Sequence, residues 1–174
     1  MIDFTAHPVL AALKARRSIR AFTDEPVSRE EIETILEAGR WAPSGRNNQP
    51  WRFLVVQTGD PRKVALESCT QYDHLIRDCR ACICVFLEKS KKYSDMKDYQ
   101  GAGACIQNML LAVHALGLGA VWIGQIVNEP EPVFKALGLD GGIYELMAVV
   151  AVGRPDETPS SRRLPLDTLC IEPF

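Results

Sequence analysis

The stretch "YQGAGACIQNMLLAVHALGLGAVWIGQI", Tyr99 to Ile126, contains a long helix that leads directly into a strand. Apolar side chains recur at helical spacing through Ile106, Met109 and Val113, which predicts an amphipathic helix from about residue 99 to residue 116. Gly117 is expected to end this helix, because glycine readily adopts the left-handed backbone of a C-terminal cap. The segment "GAVWIGQI" that follows predicts a strand.

On either side of this block the sequence predicts further helices and strands. A Ser28–Glu31 capping box begins a helix in "PVSREEIETILEAGRWAPSG", and Pro43 and Gly45 stop it. Other helices are predicted in "PVLAALKARR", "DPRKVALES" and "PEPVFKALGL", and strands in "WRFLVVQ", "RACICVFLE" and "YELMAVVAVG". Residues 156–174 contain three prolines, so we expect an extended tail that lies across another surface, typically a partner subunit.

Length and composition restrict the class of protein. At 174 residues, with 47% hydrophobic and 24% charged residues, the chain is expected to form a single domain over residues 1–174. A net charge of −2 argues against nucleic acid as the main partner. No apolar run approaches the roughly 20 residues of a membrane helix, and the N-terminus lacks the order of a signal peptide. We therefore expect a cytoplasmic protein.

Three of the six cysteines form the pattern C-x2-C-x-C at Cys79, Cys82 and Cys84. A structural zinc site would need further ligands at matching spacing, and the sequence offers none. Because "ACICVF" has the composition of a buried strand, small buried thiols are the favoured interpretation, and we predict no metal site.

The segment "ARRSIRAF", Ala15 to Phe22, gathers three arginines around one serine. In extended chain, alternation points Arg16, Ser18 and Arg20 to one side and Arg17 to the other. Two guanidinium groups and a hydroxyl on one face suit a phosphate or a carboxylate. The alternative interpretation is a solvated basic end of a helix, where positive charge is favourable.

A second polar segment, "APSGRNNQPW", covers Ala42 to Trp51. Ser44, Asn47, Asn48 and Gln49 are held between two prolines, and amide side chains suit a ring edge that carries both carbonyl and N–H groups. The alternative is an ordinary turn, because proline, serine, glycine and asparagine are the usual turn residues.

Taken together, these segments resemble the nitroreductase family of FMN-dependent NAD(P)H oxidoreductases. Arg16, Ser18 and Arg20 match its opening Arg-x-Ser-x-Arg/Lys motif, and residues 43–51 match its Pro-Ser-x-x-Asn-x-Gln-Pro-Trp motif. The block at 100–124 resembles the family's long helix and the Gly-x-x-Trp-Ile-Gly segment after it. Residues 152–169, "VGRPDETPSSRRLPLDTL", resemble the closing element that ends in Arg-x-Pro-Leu.

The resemblance implies an α+β fold, with a mixed, mainly antiparallel sheet flanked by helices. It also implies a homodimer with FMN in each of two interface clefts and a C-terminal tail, after Pro165, that reaches the partner subunit. Arg16 and Ser18, with Arg17 beside them, would contact the phosphate and ribityl side of the flavin. Arg20 would lie near its N1 and C2-carbonyl edge. The other subunit would supply Pro43, Ser44, Gly45, Asn47 and Gln49.

Three further expectations follow from the resemblance. Ile123, Gly124 and Gln125 would back the flavin ring. Arg163, followed by Arg162, would be the best candidate for a second phosphate clamp. Gly45 stands where the family usually has a second serine, so one side-chain contact is expected to be lost. The region at about residues 69–99, which includes the segments that vary most among family members, is expected to cap the substrate side. Tyr72, Tyr93 and Tyr99 are either pocket residues or surface tyrosines.

The activity implied is ping-pong hydride transfer from NAD(P)H through flavin N5 to a nitroaromatic, quinone or similar electron-poor acceptor, with no protein nucleophile. The alternatives are a flavin-dependent reductive dehalogenase, a flavin-fragmenting relative, or a flavin-binding protein without turnover. A small α/β domain whose cations merely solubilise it is a further, non-enzymatic interpretation. The sequence does not distinguish NADH from NADPH or name the physiological acceptor.

Overall fold

The fold is built on one antiparallel sheet, seen in a computed structural model that describes residues 3–173. Its strands are β1 (Trp51–Gln57), β2 (Ala81–Glu88), β3 (Gly119–Ile123) and β4 (Tyr144–Gly153), and their spatial order is β1-β2-β4-β3. The helices of the described residues are α1 (Pro8–Ala15), α2 (Arg29–Arg40), α3 (Pro61–Glu67), α4 (Asp73–Asp78), α5 (Asp95–Ala115) and α6 (Pro130–Leu137). The predicted α+β architecture is confirmed.

The parallel part of the sheet is a single bridge outside the four strands. Ser18 pairs with Ala120 of β3 in parallel orientation, and the Ile19 amide donates to the Ala120 carbonyl at 2.9 Å. This bridge fixes the chain after α1 along the outer edge of β3. The arginine segment is therefore extended, as its sequence predicts.

Strand β2 lies at the centre of the sheet and is buried on both faces, as its apolar sequence predicts. Ile83 packs into one core and Cys82 and Cys84 into the other, because successive side chains point to opposite faces. Burial raises the pKa of the Cys84 thiol to about 12. The buried-thiol interpretation of this segment is confirmed.

Helices α2 and α5 cover the first face. The Ser28–Glu31 capping box is formed at the start of α2, and Ile32 and Ile35 carry its buried side. The two helices approach closely at Gly39, where a Cβ atom would lie 2.8 Å from Cγ of Met109. Only a glycine allows this helix contact without moving the methionine.

The second face is covered by α3, α4 and α6. Val133, Phe134 and Leu137 of α6 and Leu75 and Ile76 of α4 are buried there. Helix α4 was not predicted, because a six-residue element with two apolar positions shows no clear helical period.

Two expectations about the region before α5 were wrong. Helix α5 begins at Asp95, four residues earlier than the apolar pattern indicates, because the carboxylate of Asp98 accepts hydrogen bonds from the Tyr93 and Ser94 amides at 2.9 Å. Residues 69–99 are not one substrate-side cap either, since 81–88 form the central strand. The other end of α5 agrees with its sequence: Gly117 adopts a left-handed backbone with φ of 71°.

The tail beyond β4 packs little against its own chain. Leu164, Leu166 and Leu169 are 68%, 70% and 62% exposed, and the segment holds one short 3-10 turn, Leu166–Leu169. Its predicted place on a partner subunit stays a prediction. Among the described residues, none of the helices has the length and apolar character needed to cross a membrane.

Candidate functional site

The arginine segment enters its position from the end of α1. The Arg16 amide donates to the Ala12 carbonyl and closes the helix, and the bridge at Ser18 then turns the chain along β3. Ile19, between these residues, is buried against the sheet. The backbone that carries the cations is thus fixed from both sides.

These cations line a cavity of 250 Å³, and residues of the C-terminal segment line the same cavity. It is lined by Arg16, Arg17, Ser18, Arg20, Pro159, Ser160, Ser161 and Arg163. Arg163 donates to the Ser161 hydroxyl at 3.1 Å, which orients its guanidinium group. Residues from the two ends of the chain therefore meet at one place.

Arg17 departs from the alternation expected of extended chain, because it lines the same cavity as Arg16. Its guanidinium group turns back and donates to the carbonyls of Lys14 at 2.6 Å and Arg16 at 2.8 Å. These are unpaired carbonyls at the end of α1, which attract a cation. Arg17 is thereby partly engaged by its own helix.

The cavity carries uncompensated positive charge. Partial burial lowers the pKa of Arg16, and the charges of Arg163 and Arg17 lower it further. The carboxylate of the nearby Glu157 accepts the backbone amides of Arg20 and Ala21 and forms no ion pair with a guanidinium group of the cavity. Within the described residues, none of the guanidinium groups of the four arginines of this cavity has a carboxylate oxygen within 4.0 Å. The arrangement suits a multiply charged anion.

A second cavity of 350 Å³ shares Arg20 with the lining of the first. It is lined by Arg20, Tyr72, His74, Leu75, Val121, Trp122, Ile123, Gly124 and Gln125. Trp122, 40% exposed, contributes an aromatic wall. The Thr70 hydroxyl donates to the side-chain Oε1 of Gln125 at 2.7 Å and holds that side chain. A positively charged cavity and a wider, partly apolar cavity therefore share one arginine, Arg20.

The polar segment at 43–49 has a strained backbone. Arg46, Asn47 and Gln49 have φ values of 54°, 55° and 46°, a left-handed region that side chains other than glycine rarely adopt. The Ser44 hydroxyl accepts the Gln49 amide at 3.1 Å and closes the turn. Backbone strain of this kind concentrates at functional sites.

Neighbouring side chains hold this strained segment in place. Asp98 is buried and accepts a hydrogen bond from the Asn48 side chain at 2.8 Å. Burial alone would raise the pKa of Asp98, but this bond and those from the Tyr93 and Ser94 amides lower it overall. A Cβ atom at Gly45 would overlap the ring of Tyr93. A side chain at position 45 would therefore require the Tyr93 ring to move.

Some of the predicted site residues line the two cavities, and the others line neither. The positively charged cavity is lined by Arg16, Arg17, Ser18, Arg20 and Arg163, and the second cavity is lined by Ile123 and Gly124. Arg162 lines neither cavity, and neither do the residues Pro43, Ser44, Gly45, Asn47 and Gln49. The role of all these residues in binding a cofactor stays a prediction.

The sequence did not identify several lining residues. Ser160 and Ser161 adjoin the arginine pair at 162 and 163, and that polar run was a usable signal. His74 gave none, because its position depends on α4, whereas Trp122 belongs to the Gly-x-x-Trp-Ile-Gly segment, for which no tryptophan contact was predicted. Within residues 3–173, no group of three or more histidines, cysteines or acidic residues could hold a metal ion.

Comparisons with known proteins show which proteins this chain is similar to. The chain is 38% identical over 152 residues to the Archaeoglobus fulgidus protein named "Putative NADH dehydrogenase/NAD(P)H nitroreductase", covering 85% of this chain and 86% of that protein. It is 27% identical to "FMN reductase [NAD(P)H]" of Bacillus subtilis, over 92% of this chain and 72% of that protein. A crystal structure described as a putative nitroreductase in complex with FMN, from Desulfovibrio desulfuricans, superposes with a TM-score of 0.94 at 51% identity, covering 97% and 98% of the two chains.

The family model for "Nitroreductase family" matches two overlapping stretches, residues 13–72 and 60–154. They include the arginine segment, the strained turn and all four strands. This chain therefore belongs to the nitroreductase family.

Proposed function

We propose that this protein is an FMN-dependent NAD(P)H oxidoreductase. The observation that carries the proposal is the convergence of Arg16 and Arg163 on one uncompensated cavity, joined through Arg20 to a second cavity lined by Ile123 and Gly124. FMN has a matching form, with a doubly charged phosphate at one end and a flat ring at the other. The named relatives act with NAD(P)H or carry FMN.

The protein's own residues would bind and orient the cofactor. Arg16, Arg163 and the Ser18 hydroxyl would hold the phosphate through charge-assisted hydrogen bonds. Arg20, which lines both cavities, would set a fixed positive charge beside the ring. When bound, FMN supplies a two-electron carrier that takes a hydride from NAD(P)H and passes it to an acceptor. No protein nucleophile is needed.

We propose that two copies complete each site. The strained segment 43–49 lines neither cavity in its own chain, so it would serve the cofactor of a partner subunit. Exposed apolar side chains support an interface: Leu164, Leu166 and Leu169 in the tail, and Val9 at 69% exposure on α1. In this arrangement residues 1–174 are one domain, and the tail crosses to the partner in a cytoplasmic homodimer.

The acceptor is proposed to be a nitroaromatic, a quinone or a similar electron-poor molecule. A flat acceptor that replaces nicotinamide in one shared pocket needs no nucleotide-binding domain. The experiment is anaerobic stopped-flow mixing of the purified yellow protein with NADH and NADPH, followed by a screen of nitroaromatics and quinones. Loss of the flavin absorbance with at least one donor is expected. A colourless protein that takes up no added FMN would contradict the proposal.

A further inference from the structure

Two cations stand over one aromatic ring beside the strained segment. The Arg46 guanidinium carbon lies 5.1 Å from the centre of the Tyr93 ring, and Lys97 Nζ lies 5.4 Å from the same centre. The ring also fills the space beside Gly45 that a side chain there would need. We call Arg46, Tyr93 and Lys97 the cationic edge.

The backbone of the cationic edge is held firmly. Asp98 accepts the amides of Tyr93 and Ser94 and also binds Asn48 of the strained segment. On the other side, Lys92 pairs with Asp95 at 2.8 Å and with Glu145. A preorganised group of charges can select a ligand, since little ordering entropy is lost on binding.

The charges of the cationic edge are uncompensated, unlike that of their neighbour Lys92. Among the residues that the structure describes, neither Arg46 nor Lys97 has a carboxylate within 4.0 Å, and both are exposed. Two unpaired cations beside a segment with a strained backbone form a surface for an anion.

We propose that the cationic edge selects electron acceptors that are planar and negatively charged, such as aromatic or quinone sulfonates and carboxylates. This inference rests on the proposed function, which places the segment 43–49 at the partner subunit's flavin. A molecule stacked on that ring must be flat, and its outer rim would meet Arg46 and Lys97. Tyr93 is a positioning residue that keeps both cations beside Gly45.

The test uses redox-inert probes, so that it does not depend on turnover. Isothermal titration calorimetry measures the binding of naphthalene-2-sulfonate and of the neutral naphthalene-2-sulfonamide to the purified protein with its bound cofactor. The wild type should bind the sulfonate about tenfold or more tightly than the sulfonamide. Arg46→Gln and Lys97→Gln should each reduce that preference by about three- to tenfold. The matched control is Lys135→Gln, which makes the same charge change at an exposed lysine of α6.

Tyr93 is tested by the pair Tyr93→Leu and Tyr93→Phe. Leucine should weaken the preference for the anion, and phenylalanine should restore it, because the ring and not the hydroxyl holds the cations. Cofactor content and the midpoint of thermal unfolding are measured for each variant to identify any that is misfolded.

Three results would overturn the inference. Equal affinity of the wild type for both probes removes the basis for selection. A preference that survives unchanged in both the Arg46 and the Lys97 variants places the anion outside the cationic edge. Variants that weaken only NADPH binding assign the cations to the electron donor. Failure of NADH and NADPH to reduce the flavin would contradict the proposed function alone, and the binding comparison would still stand.

Discussion

Replacing Arg16 and Arg163 together by alanine should release FMN from the protein. Each guanidinium would lose a charge-assisted contact with the phosphate, worth about 1.5–3 kcal/mol. Since Arg163 is exposed and water screens part of its charge, the lower end is appropriate for the pair, about 3 kcal/mol in total. That corresponds to an affinity for FMN about 150-fold weaker than that of the wild type.

The assay is fluorescence titration of FMN into the cofactor-free variants. Arg162→Ala is the matched control, because Arg162 lies in the same segment and lines neither cavity. The cofactor-free double variant should unfold at the same temperature as the wild type or a slightly higher one, since repulsion between Arg16 and Arg163 is removed. A loss of affinity below about threefold, with the fold intact, would refute the reasoning about this cavity.

The remaining predictions concern stability and reactivity. Ser28→Ala should lower the free energy of unfolding by about 1 kcal/mol in urea titrations, through loss of the capping box. Gly39→Val should lower it by about 1–3 kcal/mol, because the added atoms crowd α5; an unchanged urea midpoint would contradict this contact. The folded-state pKa of Asp98 is lowered, so the wild type should lose stability as the pH falls below about 4, and Asp98→Asn should show a flatter profile there. Iodoacetamide should leave Cys84 and Cys105 unmodified in the native protein by mass spectrometry, because burial raises the pKa of both thiols to about 12.

Much of the architecture followed from local rules in the sequence. The capping box at Ser28, the left-handed stop at Gly117 and the doubly buried strand β2 each depend on residues that lie close together in the chain. The meeting of Arg16 and Arg163 was expected from family resemblance, and composition and spacing alone left a solvated helix end as an alternative. Local patterns predict elements well, because capping and periodicity involve near neighbours.

The features that were missed depend on contacts between distant parts of the chain. The start of α5 is set by Asp98 and the backbone before it, and α4 is stabilised by burial of two side chains rather than by a repeating pattern. The close approach of position 45 and the Tyr93 ring brings together a residue that precedes β1 in the sequence and one that follows β2. No propensity scale reports such a contact.

The fit between Gly45 and Tyr93 also restricts the order in which this protein could change. While the aromatic ring occupies its present place, mutation of the glycine to serine is blocked by collision, although serine would be harmless beside a smaller neighbour. A serine at position 45 would therefore be tolerated more readily after Tyr93 had been replaced by a smaller residue. The two positions are therefore an epistatic pair, and ancestral variants that carry either change alone should reveal the permitted route.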